Sequence, residues 1–166
     1  MVEHGLYILK QDFFNLVQSL GGDCDISTGT KRPIYCCLKD DKIDGLFWAI
    51  PTTDIAHRNQ KQVDKCNYYI SLNENDMRSC YYHIAKTTVE AIYKISSCFP
   101  IIEKYVDYEF KTSGVHVVMQ RKNDIIEIER KLRRILAFEF RQPNYFLKRI
   151  TDVRNHLIGE FSSSGV

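Results

Sequence analysis

Two short polar segments of this sequence carry cationic, hydroxyl and imidazole side chains. The first contains the cationic pair Lys31 and Arg32, and the second contains the hydroxyl pair Thr52 and Thr53, followed by His57. Cleaving RNA by transesterification needs a base for the 2′-hydroxyl proton, an acid or cation for the leaving 5′-oxygen, and donors for the charge on the phosphate. These side-chain types can fill all three roles without a metal ion.

An apolar hairpin between the two segments is predicted to bring them together. Residues 33–38 and 46–50 are apolar, and a charged, glycine-bearing connection joins them, which is typical of two paired strands. Because the start of one antiparallel strand lies beside the end of its partner, Lys31 and Arg32 should face the hydroxyl pair and His57. The spacing alone also fits a threonine turn or cap, an exposed histidine and two loop charges.

Length and composition predict one globular domain over residues 1–166, with a frayed tail at 162–166. The chain has 166 residues, 44% of them hydrophobic and 27% charged, and only four prolines. We expect a cytoplasmic protein without a membrane partner, because no secretory signal is visible and no apolar stretch approaches the roughly 20 residues of a membrane span.

The cysteines do not indicate a metal site. The sequence has six cysteines, none in a C-x-x-C pair, and its histidines do not fall at zinc spacing. In a chain without an export signal, free thiols are expected. We therefore predict no metal and no cofactor.

The remaining segments predict a mixed α+β domain. Residues 6–9 begin a strand, residues 11–20 form a helix that the glycine pair at 21–22 ends, and residues 80–86 and 89–96 form a second hairpin, with one long helix as the alternative. Asp54 is a candidate N-cap for the basic segment that follows, and Pro100 is expected to force an exit from the second hairpin. We expect a compact, strongly curved antiparallel sheet or partial barrel, flanked by helices.

The last quarter of the chain predicts two amphipathic helices with a positive charge. The first has apolar residues on one stripe after a cap at Asn123 or Asp124, and the second follows Pro143. About ten basic residues against about five acids between Arg121 and His156 leave roughly +5 there. Two interpretations stay open: a face for a polyanion, or solvated helix faces with i,i+4 pairs such as Glu127 with Lys131.

Two motifs resemble a known family of toxins. The run KRPIY at 31–35, followed by GLFWAIPTT at 45–53, is similar to the N-terminal core of the ToxN/AbiQ family, the endoribonuclease toxins of type III toxin–antitoxin systems. The likeness is nearest to the CptN/TenpN branch. The run SCFPIIEKY at 97–105 resembles a second family segment, and the resemblance spans roughly Leu6 to Leu157.

The resemblance implies a metal-independent endoribonuclease on a sheet related to the MazF/Kid barrel. The products would be a 2′,3′-cyclic phosphate and a 5′-hydroxyl. The inhibitor would be a repeated small RNA folded as a pseudoknot, which closes with the toxin into a head-to-tail ring; precursor and cellular RNA would be substrates.

The resemblance also assigns roles to the candidate residues. It matches Lys31, Thr52 and Thr53 to the catalytic lysine and hydroxyl positions of the family. The family pattern has a further lysine where this chain has Ile55 or Ala56, and His57 and Arg58 are the candidates to replace it. A register shift of one residue leaves either Thr52 or Thr53 as the key hydroxyl. His57 is the candidate acid–base, because imidazole titrates near neutral pH.

A second set of residues is expected to bind RNA. It combines cations beside the catalytic candidates with a tyrosine that would stack on an unpaired base. The set is Arg32, Tyr35 (or Tyr68), Arg58, Lys61, Lys65, Arg121 and Lys122.

Two other functions remain as alternatives. Arg149 and His156 fit the loose R-x(4–6)-H spacing of HEPN-type RNases, seven residues apart on one helix face. That fold is all-α, so the two predicted hairpins argue against it. The other alternative is a non-catalytic RNA-binding module that uses the basic C-terminal helices.

Overall fold

The structure is a computed structural model that describes residues 1–24 and 32–163. Within these ranges the chain forms nine strands and four α-helices, joined by turns and short 3-10 helices. The strands are β1 (Leu6–Leu9), β2 (Ile34–Lys39), β3 (Leu46–Asp54), β4 (Tyr82–Lys86), β5 (Glu90–Lys94), β6 (Phe99–Ile102), β7 (Val106–Glu109), β8 (Lys111–Thr112) and β9 (Val115–His116). The helices are α1 (Gln11–Ser19), α2 (Gln60–Ile70), α3 (Lys122–Arg141) and α4 (Ile150–Ser163).

Seven strands form one antiparallel sheet, and β8 and β9 form a separate small hairpin. The order in the sheet is β4-β5-β3-β2-β1-β7, and β6 pairs with the first half of β3. The α+β class is therefore confirmed. The sheet is open, since no pairing among the described strands joins β4 to β7.

The predicted hairpin of β2 and β3 lies at the centre of the sheet. Its turn is organised by Asp40, whose carboxylate accepts hydrogen bonds from the backbone of Lys42 and Ile43 and from the Trp48 indole. Residues 34–38 and 46–50 are all buried, as expected of strands covered on both faces. β3 continues past its apolar run to Asp54, and this extension pairs with β5.

The second hairpin is also confirmed, as β4 and β5 pair antiparallel over five residues each. The hairpin ends at Lys94, before Pro100, and Pro100 itself lies within β6, opposite Trp48. Because β6 pairs only with β3, a residue without a backbone N–H is tolerated on its other side.

The helix boundaries differ from the expected caps. Asp54 caps only a short 3-10 helix, Ile55–His57, by accepting from the Ala56 amide. Helix α2 begins later, behind Asn59, which makes a reciprocal capping box with Gln62. Helix α3 begins at Lys122, one turn before its predicted apolar stripe, without a side-chain cap.

The segment predicted as a frayed tail, residues 162–166, overlaps the end of α4. Ser162 and Ser163 still belong to α4. Residues 164–166 lie outside the described ranges.

Many C-terminal cations are engaged within the protein rather than arrayed on one face. Arg130 pairs with Glu127 at 2.7 Å, Arg149 with Asp152 at 2.6 Å, and Arg154 with Asp40 at 3.3 Å. Lys131 is 4% exposed and lies 3.7 Å from Glu127, the i,i+4 pair expected from the sequence. These contacts favour helix faces whose charges pair within the protein over a continuous positive surface that binds a polyanion.

The sheet excludes the all-α alternative. A HEPN-type RNase needs a helical domain, whereas this chain builds its core on seven strands. Arg149 precedes α4 and pairs with Asp152, and His156 lies 3.3 Å from Glu160. Both side chains therefore have structural partners.

No helix within the described ranges has the length and apolar character needed to cross a membrane.

Candidate functional site

A cleft of about 600 Å³ opens at the end of β3, where the two polar segments meet. The first segment contributes Arg32, and the second contributes Thr52, Thr53, His57 and Arg58. The predicted convergence is confirmed for these side chains. Lys31, the predicted catalytic lysine, lies outside the described residues.

The strand register explains why the segments meet. Ile34 at the start of β2 lies opposite Pro51 in β3, so that the residue before the strand faces the hydroxyl pair. The amide of Thr52 donates to the Pro33 carbonyl at 3.3 Å, which extends the pairing by one step. Arg32 is thereby held at the edge of the cleft.

The two threonines are both buried, but their hydroxyl groups are used differently. Thr52 Oγ1 donates to the Pro33 carbonyl at 2.7 Å, so its proton is committed to the fold. Thr53 Oγ1 accepts from Arg58 Nη2 at 2.6 Å. No hydrogen bond among the described residues uses the Thr53 proton, which leaves this hydroxyl able to donate.

Arg58 reaches Thr53 because the chain turns back after β3. The 3-10 helix at Ile55–His57 makes this turn, and Asp54 stabilises it through the Ala56 amide at 2.8 Å. The Arg58 Nε atom is buried and has no hydrogen-bond partner in the described part of the chain. A guanidinium has only donors, so this atom can bind only an acceptor.

His57 lies at the rim of the cleft. Its side chain is 83% exposed, and Nε2 is 3.7 Å from Asp54 Oδ2. An exposed imidazole beside a carboxylate is open to solvent and to substrate, as a residue that exchanges protons must be.

A third wall of the cleft was not predicted from the sequence. It comes from the β4–β5 hairpin and contains Thr87, Thr88 and Tyr93. Tyr93 lies opposite Thr52 in the β3–β5 pairing and is completely buried. No local sequence pattern identifies these residues as part of a site. A Thr–Thr pair between two predicted strands indicates a turn, and a tyrosine in a predicted strand indicates a core residue.

Burial raises the pKa of Tyr93 to about 12. The side chain of Thr87, close to the Tyr93 hydroxyl, lowers this pKa and partly offsets the effect of burial. The Tyr93 hydroxyl is therefore protonated at neutral pH.

A histidine–aspartate pair lies next to this wall. His83 is opposite Tyr93 in the β4–β5 pairing, and its Nε2 is 3.0 Å from Asp124 Oδ1 at the start of α3. Burial lowers the pKa of His83, although the Asp124 carboxylate opposes this effect. His83 does not line the cleft and serves to join β4 to α3.

The other predicted RNA-binding cations fall into two groups. Lys61 and Lys65 are exposed on α2, beyond the cleft. Arg121 and Lys122 are exposed at the start of α3, where Arg121 is 3.1 Å from Asp124. None of these four cations lines the cleft.

The structure corrects the placement of Tyr35. Its side chain is completely buried, with its hydroxyl 3.0 Å from His4 Nδ1 and its ring 5.2 Å from that of Tyr93. A ring without exposed surface cannot stack on a base, so Tyr35 belongs to the core. The alternative tyrosine, Tyr68, is 56% exposed on α2.

Among the described residues, no group of three or more His, Cys, Asp or Glu side chains is placed to hold a metal ion. All six cysteines have free thiols, and five of them are buried. Burial raises the pKa of Cys36 to about 12, so this thiol is not a nucleophile at neutral pH.

Comparison with known proteins adds no family assignment. No protein-family model matches this chain, and no curated protein is similar to it. The resemblance to the ToxN/AbiQ family therefore stays a prediction from the two sequence motifs.

Proposed function

We propose that this protein is a metal-independent endoribonuclease toxin of a type III toxin–antitoxin system. The observation that carries the proposal is the cleft at the end of β3. It contains two arginines, a threonine hydroxyl whose proton is not used in a hydrogen bond among the described residues, and an exposed histidine, which come from both flanks of one hairpin. Donors and a titratable imidazole in one cleft are what RNA transesterification requires.

The proposed reaction uses these groups in one displacement at phosphorus. His57 takes the proton of the 2′-hydroxyl, and the 2′-oxygen attacks phosphorus while the bond to the 5′-oxygen breaks. Water donates a proton to that oxygen, and the protonated His57 returns its proton to the solvent. The products are a 2′,3′-cyclic phosphate and a 5′-hydroxyl.

Four other residues are assigned to stabilising the phosphate or to shaping the site that holds it. Thr53 donates to a non-bridging oxygen, because its proton is not committed, and Arg58 holds Thr53 in place at 2.6 Å. Thr52 shapes the site through its bond to Pro33. Lys31 is proposed to stabilise the phosphorane, on the strength of the family motif at 31–35.

The proposal extends to the RNA path and the inhibitor. Lys61, Lys65 and Tyr68 present two cations and a stacking surface on α2, which follows the cleft-lining turn in sequence. We assign the antitoxin to a pseudoknot RNA in a closed ring with the toxin, in the cytoplasm. We also propose that the sheet is related to the partial barrel of MazF/Kid-type toxins.

Expression in bacteria tests this proposal directly. The wild-type protein should arrest growth and produce new RNA ends that carry a 5′-hydroxyl. Lys31→Ala should abolish both effects, and His57→Ala should reduce the rate at which the ends accumulate. Lys42→Ala, at an exposed cation in the turn at the opposite end of the β2–β3 hairpin, serves as the matched control.

Absence of arrest and of new ends, with the protein folded, would reject the nuclease. The non-catalytic RNA-binding module would then be favoured. A Lys31→Ala variant that still cleaves would reject the role of Lys31 alone.

A further inference from the structure

A chain of aromatic rings extends from the end of α2 to the connection between α3 and α4. Each ring contacts the next, with centroids 4.7–6.0 Å apart, a normal distance for aromatic pairs. In order, the chain consists of Tyr68, Tyr69, Tyr81, Phe146, Tyr145 and Phe138. Three separate segments of the sequence therefore meet in what we call the aromatic surface.

Most of the rings in the aromatic surface are open to solvent. Tyr68 and Tyr145 are each 56% exposed, and Tyr69, Tyr81 and Phe138 are half-buried. The remaining ring is buried and joins the two halves of the chain. Contiguous exposed apolar surface of this kind is typical of an interaction site.

The two halves of the aromatic surface are also close to each other at their hydroxyl groups. Burial raises the pKa of Tyr81, and the nearby hydroxyl groups of Tyr145 and Tyr69 raise it further. The α2 end and the α3–α4 end are therefore parts of one surface.

Three cations border the aromatic surface. The ammonium of Lys65 lies 5.9 Å from the ring centroid of Tyr69. On α3, Arg134 precedes Phe138 by four residues and Arg141 follows it by three, so both lie on the same helix face as that ring. Within the described ranges, none of these three cations takes part in an ion pair or a hydrogen bond. They are available to a charged partner.

The other charges in this region are largely balanced. Arg78 pairs with Asp76, and Arg130 pairs with Glu127, each at 2.7 Å. Two exposed carboxylates also lie in the region, on α2 and beside Arg130, and they are fewer than the three cations; they are Asp64 and Glu74. The aromatic surface therefore has an excess of positive charge.

Aromatic rings with an excess of positive charge match single-stranded nucleic acid. Unpaired bases stack on exposed rings, and the phosphates between them are neutralised by lysine and arginine. A second copy of this chain fits less well, because a symmetric contact would bring the same cations together from both sides.

We propose that the aromatic surface binds single-stranded RNA, with bases stacked on Tyr68 and Tyr145 and phosphates contacted by Lys65, Arg134 and Arg141. The inference rests on the proposed nuclease function, which makes RNA the partner, and it deepens that function. It extends the RNA path beyond α2 to the connection between α3 and α4, which does not line the cleft.

The test measures binding and cleavage separately. The binding probe is a mixed-sequence single-stranded RNA of about 15 nucleotides in which fluorine replaces every 2′-hydroxyl, so that the protein cannot cleave it. The cleavage substrate is the same RNA with its hydroxyl groups. Tyr68→Leu and Tyr145→Leu remove one exposed ring each and keep an apolar side chain. Tyr108→Leu is the matched control, because this tyrosine is 49% exposed on β7, at the opposite edge of the sheet from β4.

A second pair of variants tests the charge. Arg134→Gln removes a cation that borders the aromatic surface. Arg133→Gln is its control, because the neighbouring side chain is 55% exposed on another face of α3, 3.7 Å from Asp41.

We expect Tyr68→Leu and Tyr145→Leu each to weaken binding of the probe by about tenfold, and Tyr108→Leu by less than about twofold. Arg134→Gln should reduce the slope of log affinity against log salt by about 0.7, and Arg133→Gln should leave it unchanged. In all three variants of the aromatic surface, KM for the cleavable RNA should rise while kcat stays as in the wild type, because the cleft is intact. If Tyr145→Leu does not fold, as judged by urea unfolding, Tyr68→Leu and Arg134→Gln still decide the matter.

Several outcomes would overturn this inference. Unchanged binding in Tyr68→Leu, Tyr145→Leu and Arg134→Gln would do so even if the wild type cleaves RNA, and so would a wild type that does not bind the probe. Loss of affinity in Tyr68→Leu alone, with Tyr145→Leu folded, would confine the RNA to α2. Self-association of the wild type that is lost in Tyr145→Leu would assign the surface to a second copy. A wild type that binds the probe through these residues but cleaves no RNA would reject the nuclease and keep the RNA-binding surface.

Discussion

The guanidinium of Arg58 donates a hydrogen bond of 2.6 Å to the hydroxyl of Thr53. The adjacent hydroxyl of Thr52 instead donates at 2.7 Å to the carbonyl of Pro33. Two neighbouring threonines thus have different tasks: one hydroxyl is positioned with its proton available, and the other fastens β3 to the start of β2. The sequence alone did not separate them.

This difference predicts that one substitution affects cleavage differently at the two positions. Thr53→Val removes a donor to the phosphate and the acceptor of the Arg58 bond, so it should lower the rate of RNA cleavage by about 100-fold and also lower the free energy of unfolding by about 1 kcal/mol. Thr52→Val removes the bond to Pro33 and should lower the free energy of unfolding by about 1 kcal/mol, while cleavage changes only a few-fold. Initial cleavage rates and urea unfolding of both variants provide the comparison. Loss of cleavage in Thr52→Val alone would exchange the two assignments.

The lysines on α2 should contribute to RNA affinity through counterion release. If Lys61 and Lys65 each contact one phosphate, Lys61→Gln and Lys65→Gln should each reduce the slope of log affinity against log salt by about 0.7 for single-stranded RNA. Lys131→Met is the control, because Lys131 is buried and donates to the carbonyl of Tyr82 at 2.9 Å. Equal slopes for all four proteins would remove α2 from the RNA path.

Much of the fold was predictable because local signals and tertiary contacts agree. The apolar runs on either side of the turn at Asp40 specify a buried hairpin, and the stripe through Ile128, Leu132 and Ile135 specifies the buried face of α3. In these elements, the residues that favour a strand or helix locally are also those that pack in the core.

The cleft was only half predictable, for a physical reason. Residues on either side of one hairpin meet by local pairing, so the approach of Arg32 to Thr53 follows from the sequence. The approach of Tyr93 to Thr52 depends on the pairing of β3 with β5, about forty residues away, which no local pattern encodes. The orientation of Tyr35 was equally hidden, since a strand that is apolar on both faces has no alternation to indicate which side chains are covered.

Asp40, in the turn of the central hairpin, should be a charged residue on which stability depends strongly. Asp40 accepts from the Trp48 indole at 3.1 Å and from Arg154 at 3.3 Å, and its side chain is 5% exposed. Asp40→Ala should lower the free energy of unfolding by about 3 kcal/mol, because it leaves the Arg154 charge and the indole N–H unpaired. Urea unfolding measures the change.

The neighbouring Asp41 provides the control for Asp40. Its side chain is 79% exposed and lies 3.7 Å from Arg133. Asp41→Ala should change stability by less than about 0.5 kcal/mol, because surface pairs contribute little. Similar losses in both variants would mean that general charge balance, rather than the buried contacts of Asp40, stabilises the turn.

The contact between His83 and Asp124 should make stability depend on pH between neutrality and mild acid. Burial lowers the pKa of His83 in the folded protein, and the carboxylate 3.0 Å away only partly offsets this. An unfolded histidine titrates at about 6.5, so below that pH the unfolded chain takes up a proton that the folded chain does not. The free energy of unfolding should therefore fall as pH drops from about 6.5 to the lower folded value.

His83→Gln keeps a donor for Asp124 but does not titrate, and it should flatten this decline; His57→Gln, on an exposed side chain, should leave it as in the wild type. Urea unfolding at a series of pH values tests this, and an equal decline in His83→Gln and the wild type would assign the pH dependence to other groups.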